Sequence, residues 1–258
     1  MRLKSALRRG VAAAVIAGIV VSSGIPAYAA RWDIADGDIT VKAGDEGTNR
    51  VTQGKKENVE DTNTVITGES GKNTVTIDTS EGNVDVTFDD LKIDVSGKKE
   101  GDGSGDSPVD AGKAAVTVQG GGDATIELDG KNELKSGSGN AGLEKNKHES
   151  KGTLTIKDDK GKDGSLTAEG GGDGAGPWSE PDPDTPPSNP SNPNNIIICG
   201  DAEVTAKAGS QMTDAKAPAI GGKYGEVPTD ALSDAEHKVT GGRLTRLNAD
   251  GTVMEGMG

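Results

Sequence analysis

The stretch "DATIELDGKNELKSG", Asp123 to Gly137, decides the fold. Ile126 and Leu128 alternate with Thr125, Glu127 and Asp129; Gly130 then breaks the run, and Leu134 starts a second, shorter one. Period-two alternation marks a half-buried strand. Asp129-Gly130 is either the turn of a hairpin in a sandwich or the corner of a coil that repeats along the chain. The run after it, "KNELKSG", is weak as a hairpin partner, so the choice rests on whether the pattern recurs.

It does recur. From about Thr74, "TVTID", "NVDVTFDD", "LKIDVSG", "AAVTVQGGG", "ATIELDG", "GTLTIKDD", "GSLTAEGGG" and "AEVTAKAG" each hold a short alternating run of Val, Ile, Leu and Thr, closed by Gly, Asp or Asn. The closing residues supply the positive φ of a tight corner. Residues 31 to 258 contain no i, i+3, i+4, i+7 apolar stripe ten residues long, so the expectation is all-β. Short runs, glycine-rich corners and small inward aliphatics favour a parallel β-helix, or β-solenoid. There each coil buries the inward residues of the one below, about 4.8 Å away. A twisted sandwich is the alternative, but it would use more large rings in its core. After the first 29 residues only Trp32, Phe88, Trp178 and Tyr224 are aromatic.

Those first residues read as a secretory signal peptide. Arg2, Lys4, Arg8 and Arg9 precede the apolar run Val11 to Val21, and Ala27-Tyr28-Ala29 is a small-x-small cleavage site. The apolar run is too short for a span of about 20 residues, and no second one follows. An exported, extracellular or cell-surface protein without a transmembrane helix is expected. Removing residues 1–29 takes away four basic and no acidic residues, so the formal net charge falls from −14 to −18. Such a surface repels nucleic acid and anionic lipid and concentrates cations. Cys199 is the single cysteine, so no intrachain disulfide forms. In "IIICG" it reads as an inward core residue. Two histidines, His148 and His237, leave zinc and serine-histidine chemistry little to stand on; both read as surface residues.

The organisation expected is residues 30–73 as an N-terminal β region that starts the solenoid, 74–176 as its central part, 177–195 as an excursion, and 196–258 as C-terminal rungs and tail. Pro177 to Pro193 holds seven of the eleven prolines and cannot carry a continuous ladder. Gly97 to Lys113 is a second polar insert. The tail "ADGTVMEGMG" shows no evident cap for a solenoid end.

The rungs "WDIADGDITV", "IELDGKNELKSGSGNAGLEKN", "GTLTI", "GSLTAEGG", "IIICGDAEVTAKAG" and "APAIGG", in that order from about Trp32 to Gly222, resemble secreted bacterial proteins of the carbohydrate-binding domain-containing kind, similar to a β-helical polygalacturonate-binding module. The pattern departs at Gly174 to Trp178, "GAGPW", where a "GAGIGG" corner into another rung is expected. The resemblance implies a β-helix that binds acidic polysaccharide with calcium and without catalysis. It carries over no individual ligand residue.

Calcium needs six to eight oxygens. Asp85 and Asp89 lie on the outer face of one run about 13 Å apart, too far to share an ion. Ligands must then stack between coils or stand side by side at corners. Asp89-Asp90, Asp158-Asp159 and Asp36 with Asp38 are the candidate metal corners, and each pair is also readable as solvated turn aspartates. Asp102 to Lys113 fails as an EF-hand loop, with Ser107 and Lys113 where Gly and Glu belong. "GGDGAG", Gly171 to Gly176, fails as a calcium nonapeptide, with Gly176 in place of a liganding Asp. Trp178, Trp32 and Tyr224 are the rings expected to be exposed and available to a sugar. No catalytic constellation stands out, so no enzyme is expected. The other reading is an extracellular structural or adhesin solenoid whose insert loops contact glycans or proteins of a cell surface, with calcium stiffening the ladder or absent.

Overall fold

Gly130 turns a corner and closes no hairpin: the runs on either side of it pair in parallel with other strands and not with each other. The computed structural model describes residues 30–45, 47–96, 112–138, 140–150, 152–161, 163–171, 196–207, 209, 220–221 and 237–253. In chain order β1 (Arg31–Asp33) and a 3-10 turn (Ile34–Asp36) lead into β2 (Ile39–Ala43), β3 (Asn49–Gln53), β4 (Lys56–Asp61) and β5 (Thr64–Ser70). Next come β6 (Val75–Asp78) and β7 (Val84–Asp94), then β8 (Val116–Gly120), β9 (Ala124–Asp129) and β10 (Lys131–Ser138). The coil above holds β11 (Leu143–Ser150), β12 (Leu154–Asp158) and β13 (Ser165–Gly171). β14 (Ile196–Gly200), β15 (Glu203–Lys207), β16 (Ile220–Gly221), β17 (His237–Thr240) and β18 (Arg243–Leu247) complete the order.

The strands stack in parallel into a β-solenoid. The first face holds β1, the start of β5, the start of β7, β9, β12, β14 and β17. The second holds the ends of β5 and β7, then β10, β13, β15 and β18. The third holds β2, β6, β8, β11 and β16. β14 continues β12 and β15 continues β13 in register, so the same two faces resume beyond the proline-rich excursion. That excursion, and all of the Gly97 to Lys113 insert except its last two residues, lie outside the described residues. β16 stacks directly on β11.

Alternation sets what faces in. Val86, Ile126, Ile156 and Ile198 form one buried column, and Ile66, Phe88 and Leu128 another beside it. Each such side chain contributes about 1.5–3 kcal/mol by leaving water, so short aliphatics suffice for a core. Cys199 corrects the expectation of an inward thiol. With Ile196 and Ile198 inward, strict alternation turns Cys199 outward, beside Lys157 and Thr240, and leaves it half-buried. The side chains of His148 and His237 lie outside the described residues.

The outward columns alternate in charge. Asp94, Lys135, Glu169 and Lys207 stand above one another on the second face, and Lys207 Nζ lies 3.0 Å from Glu169 Oε1. Glu69, Lys92 and Glu133 form the neighbouring column, continued by Thr167, Thr205 and Thr245. On the third face Thr40, Thr76 and Thr117 align.

The first coil carries an element absent from the repeat. β2, β3 and β4 form an antiparallel meander, with a two-residue turn at Gly54-Lys55. The buried Asn49 amide donates to Asp85 O and Thr64 Oγ1, and the Gln53 amide donates to Asp33 O and Gly37 O. These bonds satisfy backbone at the N-terminal end, and charged β4 forms the outer edge, which discourages edge-to-edge pairing. At the other end the chain turns back after β18, with Leu247 and Val253 in an antiparallel bridge. Among the described residues no helix is long and apolar enough to cross a membrane.

Candidate functional site

The corner between the first two faces collects the aspartates. β7 passes it as one strand: Asp90 takes φ +50°, and the alternation changes phase so that Phe88 and Leu91 both point inward. One coil above, Gly130 takes φ +62° over the Asp90 carboxylate. Asp90 Oδ1 accepts the Lys131 N–H at 3.0 Å. Beside this position Asp33, Thr67, Asp89 and Asp129 stand in register on successive coils.

The candidate metal residues fall into different roles. Asp89 is ion-paired with Arg31 at 2.6 Å. Arg31 comes from β1, two strands below, so an arginine does reach the central acids although none lies among them in the sequence. Asp158 is fully buried, and its two oxygens accept the N–H groups of Gly161 and Gly164, both at 2.9 Å. It holds its own loop together. Asp159 is exposed and pairs with Lys157 at 2.8 Å. The Asp159 and Lys160 N–H groups are both bound by Oε1 of buried Glu127, whose Oε2 lies 3.6 Å from Lys157. This hydrogen bond to Asp159, opposed by burial and aided by the charges of Asp159 and Glu127, raises the Lys157 pKa above its ordinary value. Asp36 is exposed in the 3-10 turn, and Asp38 Oδ1 accepts the Thr74 N–H at 2.8 Å. Asp38 is thus spent on holding the strand stacked above β2.

The carboxylate that remains is Asp129, an outward acid at a corner that is not among the candidate metal residues expected from the sequence. It is exposed, and among the described residues it forms no ion pair. Burial of its surroundings and then the charges of Asp89, Asp163, Asp158 and Asp90 raise its pKa above the usual aspartate value. Asp163 is exposed as well. The donor chemistry, all carboxylate oxygen, suits a hard cation such as calcium. Coordination is incomplete: among the described residues no three acidic, cysteine or histidine side chains are placed to hold one ion. A calcium ion here would need most of its oxygens from water and from a ligand.

Trp32 corrects the expectation of an exposed ring. It is 3% exposed, donates its indole N–H to Asp61 Oδ2 at 2.8 Å, and has Lys56 Nζ 5.3 Å from the ring centre. Its place in register with Ile66 makes it a core residue of the first coil. Trp178 and Tyr224 lie outside the described residues. Comparison with known proteins finds no matching family model, curated protein or solved structure.

Proposed function

We propose that the chain is an exported, non-catalytic solenoid that binds acidic polysaccharide of the polygalacturonate kind through calcium at the Asp129 corner. The observation that supports this is the solvent-facing Asp129 carboxylate in the field of four other aspartates. That field repels a bare uronate and attracts a divalent cation. With so few protein oxygens in reach, Asp129 and Asp163 would hold the ion on one side, leaving its other positions to water and the polymer's carboxylates. Calcium supplies the charge bridge when bound; the chain's residues hold and orient it.

A thermal melt of the exported protein in calcium or EDTA, each with and without polygalacturonate, tests the reading. A ligand that binds only the folded state stabilises it. Calcium alone is expected to change the melting temperature little, and calcium with polymer to raise it. Equal melts with and without polymer in calcium would sink the proposal.

The alternating charge ladders favour a second reading, in which the solenoid is a stiff extracellular stalk or adhesin. A calcium effect that polymer does not enlarge would move that reading ahead.

A further inference from the structure

Ala30 is the residue that follows the Ala27-Tyr28-Ala29 cleavage signature. Its nitrogen donates to Asp61 Oδ1 at 3.1 Å, and its carbonyl accepts the Val65 N–H at 3.1 Å, so it is pinned against the first coil. Asp61, at the end of β4, has no exposed surface. Its oxygens also take the Asn63 N–H at 3.1 Å and the Trp32 indole N–H at 2.8 Å. While residue 29 is attached, all three of these donors are neutral. Among the described residues no cationic side chain forms an ion pair with Asp61, and Lys56 lies over the Trp32 ring instead. Neutral donors satisfy the oxygens of a buried carboxylate but leave its charge without an opposite one, and adding or removing such a counter-charge in a buried site has a large effect.

We infer that cleavage between Ala29 and Ala30 creates that counter-charge. Hydrolysis breaks the peptide bond: water leaves its oxygen on the Ala29 carboxylate, and the Ala30 nitrogen becomes an α-ammonium group held against Asp61. The inference rests on the export reading and is independent of any sugar or calcium. Signal removal then does more than release the chain: it completes the N-terminal cap in which Trp32, Asp61 and the meander meet. An amine paired with a buried carboxylate holds its proton more tightly folded than unfolded, so the stabilisation is complete below the free α-amino pKa of about 8. It is lost as pH rises through the higher folded value.

The test exports the full chain from a secreting host and reads the N-terminus of the product by mass spectrometry. The product is then acetylated selectively at its α-amine, and treated and untreated samples are melted at pH 7 and pH 10.5. The expected product starts at Ala30. Acetylation should lower its melting temperature by several degrees at pH 7, with the difference shrinking at pH 10.5. In Asp61→Asn the acetylation effect should vanish. A product starting elsewhere, or equal melts of the free and acetylated forms at pH 7, would overturn the inference. If the Asn variant does not fold, those two measurements still decide it.

Discussion

Asp158 and Asp129 are both corner aspartates, yet burial gives them opposite roles. Asp158 is buried and accepts two glycine N–H groups, so Asp158→Ala leaves the buried Gly164 N–H, and the more exposed Gly161 N–H, without that acceptor. A loss of about 1–3 kcal/mol is expected in urea unfolding. Asp129 is disfavoured as a carboxylate by its neighbours, so Asp129→Asn should raise the calcium-free melting temperature slightly. The gain is under about 1 kcal/mol, because exposed charges are screened. The same variant should abolish the polymer response in calcium. The pH sign follows from the raised pKa: wild type is relieved of this repulsion below the unfolded value near 3.8 and loses that stability as pH rises through the folded value. The gain from Asn is therefore present at pH 7 and absent at pH 3. Asp78 behaves conversely. Burial pushes its pKa up, but the Ser80 hydroxyl and N–H, Gln119 and Lys42 outweigh that and lower it. Its contribution is present at neutral pH and lost as pH falls through the folded value. None of these roles was legible in the sequence, which shows several similar Asp-containing corners. Burial and the identity of the residue one coil away, some 30 to 40 positions distant, separate them.

At the level of elements, alternation and glycine-closed corners made the parallel runs from Thr74 onward readable. Two things escaped. The "VTQGKKENV" meander uses a local two-residue turn that interrupts the solenoid pattern, and Lys145, in register with inward Val118, is buried where alternation calls for an apolar residue. The corner itself is testable at Gly130→Ala. A Cβ there would strike the Asp90 carboxylate, and the positive φ is strained for any side chain. A loss of about 1–3 kcal/mol is expected by thermal melting. The charge ladder offers another test. Lys135→Glu would add a third acid to the column, between Asp94 and Glu169, lowering stability by about 0.5–1 kcal/mol at low salt. The deficit should shrink as added salt screens the column.

For the whole molecule, the scarcity of aromatics that argued against a sandwich is what stacked aliphatic columns allow. What the sequence did not show is that its negative charge is unevenly used. The second face alternates acids and lysines coil by coil, and Asp129, which forms no ion pair among the described residues, stands at one corner. The N-terminal meander has a consequence for how the chain acquires its structure. Its contacts join near neighbours, such as Asn58 to Thr52 six residues away, whereas bonds between coils join residues as far apart as Asp90 and Lys131, 41 positions distant. Closing short loops costs less entropy, so the meander is the first place where the chain can lower its free energy by ordering. A polypeptide that emerges from its N-terminus then meets a finished edge with each new length, and growth from one end replaces a search over all pairings at once.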